Sequence, residues 1–133
     1  MLLIDEKRLL GALDELAAIG AIDGGGCARL ALSDEDKAGR DLVVGWMKAA
    51  GLDVSIDAIG NVIGVRAGTA NLAPVMTGSH IDTVRTGGRY DGNYGVLAGL
   101  EVVRALNAAK LTTRRPIAVA FFTNEEGRAS SPT

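Results

Sequence analysis

The chain has 133 residues, 47% of them apolar and 23% charged, which is room for one domain with a usable core. Its net charge of -2 leaves no basic stripe to neutralise phosphates, so nucleic acid is excluded as the expected partner. A lone cysteine, Cys27, excludes an internal disulfide, the first residues lack a signal-peptide pattern, and no apolar run approaches bilayer length, so a cytoplasmic protein with no membrane partner is expected.

The first predicted element is a helix over Asp5 to Ala18, with Leu9, Leu13 and Leu16 at helical spacing and Gly20 as terminator. Gly24-Gly25-Gly26 lacks the Lys-Ser/Thr ending of a phosphate-binding loop and reads as a flexible connector. Ser33, with Asp36 three residues on, predicts the start of a second helix. Its inner face is expected to carry Leu42, Trp46 and Ala49, and Gly51 closes it. Asp53 to Val65 reads as two short strands around the turn pair Gly60-Asn61.

From here the pattern is α/β. Pro74 to Gly78 predicts a short strand, Val96 to Leu106 an amphipathic helix and Ile117 to Thr123 a continuous apolar strand. Strand, helix and strand in this order predict a right-handed crossover with parallel strands, whose ligands sit beyond the carboxyl ends of the strands. His80 and Asp82 follow the first strand, Glu125 and Glu126 follow the second, and Asp91 lies in the loop entering the helix.

His80 is the only histidine, and a lone histidine is more often structural than a ligand. Here it ends an apolar strand inside Gly-Ser-His, and Asp82 is spaced to accept a hydrogen bond from one ring nitrogen while the other faces a metal. Asp91 in Arg89-Tyr90-Asp91-Gly92-Asn93 suits a helix N-cap, but that role leaves the surrounding glycines unexplained. Glu125-Glu126 directly follows an uncharged strand, and adjacent carboxylates repel unless a cation or proton intervenes. No Gly-x-Ser-x-Gly or Cys-His pattern competes. Imidazole plus carboxylates suits zinc, with manganese, cobalt or nickel also admitted.

The stretches Ala49-Ala50-Gly51-Leu52-Asp53-Val54, Asp57-Ala58-Ile59-Gly60-Asn61-Val62, Gly78-Ser79-His80-Ile81-Asp82-Thr83 and Gly87-Gly88-Arg89-Tyr90-Asp91-Gly92 resemble one family closely. Gly95-Val96-Leu97-Ala98-Gly99-Leu100-Glu101 and Phe122-Thr123-Asn124-Glu125-Glu126-Gly127 are its most diagnostic runs. That family is the M20-type metallopeptidase-like amidohydrolases, in the branch of N-carbamoyl-L-amino-acid hydrolases, allantoate amidohydrolases and ureidoglycolate-type enzymes. The resemblance implies the N-terminal part of a zinc-aminopeptidase-like (phosphorylase/hydrolase-like) catalytic domain, a mixed sheet flanked by helices. It implies two divalent ions, with His80 on one, Asp91 bridging both and Glu126 on the other. Asp82 would orient His80, and Glu125 would be the general base. The substrate would be a small carbamoyl or ureido compound, and the protein a homo-oligomer.

Relatives of this kind carry two further histidine ligands and an inserted dimerisation domain. Residues 1–133 are therefore expected to be a single incomplete catalytic domain with little activity of its own. The ending Arg128-Ala129-Ser130-Ser131-Pro132-Thr133 departs from the family pattern and is expected to reflect a frameshift. Two other readings stay open: a di-zinc aminopeptidase or dipeptidase of the same superfamily, and a non-catalytic binding or assembly domain.

Overall fold

The computed structural model describes residues 1–128, so residues 129–133 of the divergent ending lie outside the described residues. Helix α1 (Glu6–Ala17) starts at Asp5, whose carboxylate accepts the Arg8 backbone N–H at 3.0 Å. Leu9, Leu13 and Leu16 are buried as their spacing predicts, and Gly20 turns the chain at φ +84°.

Helix α2 (Asp34–Ala49) is capped by Ser33, whose hydroxyl accepts the Asp36 N–H at 3.1 Å. Its inner face differs from the expected one. Asp36, Gly39, Val43 and Met47 are buried, Leu42 and Trp46 only partly so, and Ala49 is exposed. The polar Asp36 and the small Gly39 hid this face, because an apolar count follows Leu42 and Trp46 one position away.

Strands β1 (Asp53–Ile56) and β2 (Val62–Arg66) form the expected hairpin, with Gly60 at φ +91° in its turn. Strand β3 (Val75–Ser79), helix α3 (Asn93–Ala108) and strand β4 (Ile117–Phe121) follow. The four strands lie in the order β1-β2-β4-β3. β2 pairs antiparallel with both β1 and β4, while β3 runs parallel to β4, from Val75 opposite Ile117 to Ser79 opposite Phe121. The sheet is therefore mixed, with the predicted parallel pair at one side.

One core joins the helices to the sheet face that carries Val62, Val119 and Phe121. Leu13 and Leu16 of α1, Val43 and Met47 of α2, and Val96, Leu100 and Val103 of α3 meet there. Fully burying each such side chain contributes about 1.5–3 kcal/mol. The diagnostic Glu101 belongs to this framework. It is 1% exposed, and its carboxylate accepts Arg8 Nη2 at 2.7 Å and the Asp5 N–H at 3.0 Å, which ties α1 to α3. Among the described residues no helix is long and apolar enough to cross a membrane.

Candidate metal centre

Because β3 and β4 run parallel, the chain leaves both at the same edge of the sheet, and His80 and Thr123-Asn124-Glu125-Glu126 emerge side by side. Ser79 accepts the Phe122 N–H at 2.9 Å, which extends the pairing past the strands and fixes that juxtaposition. The entry to α3 brings Asp91 to the same place.

His80 is 5% exposed, and its Nδ1 lies 2.9 Å from the backbone oxygen of Asp82. A proton on Nδ1 donates to that carbonyl, which leaves the Nε2 lone pair directed into the cluster. Nε2 is 3.3 Å from Glu125 Oε2 and 3.9 Å from Asp91 Oδ1. Gly92 makes room for the ring. At φ +72°, a Cβ there would fall 2.6 Å from His80 Cε1 and 2.4 Å from the His80 oxygen. Only glycine fits beside this imidazole.

Asp82 sits differently from the expectation. Its carboxylate is 3.6 Å from His80 Nδ1, and the hydrogen bond to the ring is made by its backbone oxygen instead. The buried carboxylate accepts the backbone N–H groups of Glu125, at 3.3 Å, and Glu126, at 3.1 Å. Asp82 thus holds the Glu125-Glu126 turn through its side chain and His80 through its main chain.

Asp91 is exposed, and α3 has Gly92 at its N-cap with no side-chain cap, so capping does not account for this aspartate. One of its carboxylate oxygens lies within 4.8 Å of one on Glu126. Desolvation first, and then the neighbouring Asp91 carboxyl, hold Glu126 above the ordinary glutamate value, with Glu125 adding to the effect and His80 opposing it. Such a pair of carboxyls is satisfied by a shared proton or by a cation.

One ligand atom each from His80, Asp91 and Glu126 lies within 4.8 Å of the others. An imidazole nitrogen of fixed tautomer and two carboxylates, converging around a cradle that a Cβ would fill, suit a borderline divalent cation. Glu125 stands beside this triad, its oxygen nearer to His80 than that of Asp91.

The supports of the site leave no periodic signal in the sequence. The stretch after Gly24-Gly25-Gly26 is no free connector: Cys27 exchanges backbone hydrogen bonds with Gly87 at 2.9 and 3.0 Å, anchoring the loop that leads to Asp91. Asn61 accepts the Thr123 N–H at 2.8 Å, and its own amide donates to Asp57 at 2.9 Å, so the β1–β2 turn braces the start of the Glu125 segment. Arg29 and Asn93 also escaped notice, since a buried arginine carries no periodic signal.

Comparison with known proteins gives a match to the model of Peptidase family M28 over residues 61–130, a span that begins just before β2 and includes all the candidate ligands. That model names family M28 where the motifs suggested the M20 type. Over 93% of its length the chain is 46% identical to the N-carbamoyl-L-amino-acid amidohydrolase of Pseudomonas sp. (strain NS671), covering 30% of that protein. It is 37% identical to the ureidoglycolate hydrolase of Oryza sativa subsp. japonica over 92% of the chain, covering 26% of that protein. A crystal structure of a hydantoinase/carbamoylase family amidase from Burkholderia ambifaria superposes on the whole chain with a TM-score of 0.95 at 51% identity, over 33% of that structure's length. The chain thus spans about a third of the length of these relatives.

Proposed function

This chain belongs to peptidase family M28, and on that premise we propose that it carries the metal-site half of a divalent-metal-dependent amidohydrolase. The substrates proposed are linear amides, N-carbamoyl-L-amino acids first and allantoate or ureidoglycolate-type compounds second. One observation carries the reading: the ligand atoms of His80, Asp91 and Glu126 converge within 4.8 Å at the end of a parallel strand pair.

In this proposal His80, Asp91 and Glu126 would hold two divalent cations, with His80 serving one, Glu126 the other and Asp91 shared between them. Two such ions, zinc first and manganese, cobalt or nickel as alternatives, would lower the pKa of a water and polarise the scissile carbonyl. Glu125 is the proton acceptor, because it is exposed, next to His80 and held in direction by Asp82 through its N–H. From Glu125 the proton passes to the leaving nitrogen. The remaining ligands and the substrate contacts are proposed to come from sequence outside these 133 residues, of which His80 is the only histidine. The isolated chain is then an incomplete catalytic domain with negligible turnover. The exposed apolar residues Val75 and Met76 on β3, which among the described residues has a strand neighbour on one side only, support the incomplete-domain reading, and a cytoplasmic homo-oligomer remains part of the proposal.

The test is a chimera in which this chain replaces the matching third of the Burkholderia ambifaria amidase. It should release ammonia from N-carbamoyl-L-amino acids faster than it cleaves dipeptides, and Glu125→Gln should remove that activity while leaving zinc binding in place. Preference for dipeptides would instead support an aminopeptidase or dipeptidase. A folded chimera that binds no zinc would leave only a binding or assembly role.

A further inference from the structure

Arg29 lies between the turns that follow α1 and the start of α2, and it is fully buried. A guanidinium in that position is expensive to desolvate and holds only if its donors are satisfied. Its Nη1 donates to the carbonyls of Leu16 at 2.8 Å and Ile19 at 2.7 Å, at the C-terminal end of α1, where helix carbonyls carry partial negative charge. Nε donates to the carbonyl of Ile81 at 2.8 Å, and Nη2 to the side-chain oxygen of Asn93 at 3.0 Å. Asp36 and Asp82 are near enough to favour its charge. Gly39 of α2 leaves room for the stem, since a Cβ there would fall 2.9 Å from Arg29 Cδ.

The two acceptors on the site side are not arbitrary. Ile81 lies between His80 and Asp82. Asn93 follows Asp91 by two residues, and its amide donates to the Arg89 carbonyl at 3.0 Å, closing the loop that carries Asp91. The Arg29 N–H also donates to Thr83 Oγ1 at 2.7 Å, on the far side of Asp82. One planar guanidinium therefore spans the segment after β3 and the segment before α3, with the end of α1 as its fixed base. Arginine suits this task because its donors form a rigid fork, which a lysine ammonium cannot reproduce.

We propose that Arg29 is a positioning residue that locks the His80-bearing and Asp91-bearing loops in one register, joining the Ile81 carbonyl to Asn93. The inference rests on the metal-site reading above, and Arg29 itself touches neither ion nor substrate.

The test uses zinc titration calorimetry and amide hydrogen exchange on the 133-residue chain and its Arg29→Lys, Asn93→Ala and His80→Ala variants. Asn93→Ala is the informative one, because Arg29 keeps its three carbonyl acceptors and circular dichroism can verify the fold. The expected result is zinc affinity at least tenfold weaker in Asn93→Ala and in Arg29→Lys, within the range that outer-shell partners of metal ligands show. Exchange should accelerate in residues 80–83 and 89–93 together. Affinity within twofold of the parent in a folded Asn93→Ala, or faster exchange confined to one segment, overturns the proposal. If the parent binds zinc no better than His80→Ala, the metal reading falls, and joint or separate exchange of the two segments still decides whether Arg29 couples them.

Discussion

At the seam between α1 and α3, Glu101 is 1% exposed and meets Arg8 at 2.7 Å. At the ends of β3 and β4, carboxylate oxygens of Asp91 and Glu126 lie within 4.8 Å of each other, beside Glu125 and a single imidazole. The first carboxylate is neutralised by a cation of its own chain, and its negative charge is part of the framework. The second group concentrates like charge where a neutral surface would be more stable. Carboxylates that pair with a cation explain themselves, whereas carboxylates that pair with one another call for a ligand or a proton.

The largest expected effect tests the cluster. His80→Ala should weaken zinc binding by more than about 100-fold, beyond the 10–100-fold that outer partners of a metal ligand cost. Titration calorimetry against the parent chain measures it. Affinity within threefold would turn the cluster into an ordinary solvated surface and erase the contrast with Glu101.

Arg8→Met tests the other side. It leaves a buried carboxylate with the Asp5 N–H as its remaining bond, and breaking a buried pair costs several kcal/mol. Because the Arg8 side chain is 38% exposed, solvent takes up part of that loss, and about 2 kcal/mol is expected in urea unfolding. Zinc affinity should not change. A variant as stable as the parent would show that Glu101 is no more structural than Glu126.

Glu126→Gln should behave in the opposite way to Arg8→Met. Removing one of two repelling carboxylates should leave urea stability within about 0.5 kcal/mol of the parent or raise it. Zinc affinity should fall at least roughly tenfold, since a direct ligand should cost no less than the 10–100-fold seen for outer partners of metal ligands. Destabilisation without loss of affinity would make Glu126 a framework residue like Glu101.

This contrast was half legible in the sequence. His80, Glu125 and Glu126 could be placed at strand ends and Asp91 in the loop entering the helix, because two apolar runs flank a helix and parallel strands put their carboxyl ends together. The apolar spacing of α1 also located its buried face. The actual face of α2 was hidden, because Asp36 and Gly39 lie on it and hydrophobic periodicity cannot count them. For the same reason Arg29 and Asn93 left no sequence signal: their importance lies in hydrogen bonds between segments far apart in the chain. Asp82 was noticed for its spacing from His80, yet its carboxylate is spent on the backbone of Glu125 and Glu126, a contact that only the fold creates.

Asp36 stands between the two cases and gives the smallest effect. It is 2% exposed like Glu101, but its Oδ1 has no hydrogen-bond partner while Oδ2 accepts the Leu32 N–H at 2.9 Å. Burial pushes its carboxyl above the ordinary value of 3.8; the Leu32 N–H, Arg40 and Arg29 oppose the shift, and Asp82 adds to it. A raised folded-state value means that the contribution to stability is full below about pH 3.8 and is lost as pH rises through the folded value. Asp36→Asn keeps an acceptor for Leu32 and does not titrate. It should therefore match the parent in acid and exceed it at neutral pH, by less than about 1 kcal/mol given the nearby arginines. Urea unfolding of both chains between pH 3.5 and pH 7 reads this directly. If the variant instead loses ground as pH rises, Arg29 and Arg40 outweigh burial, and Asp36 belongs with Glu101 as a carboxylate that the framework pairs.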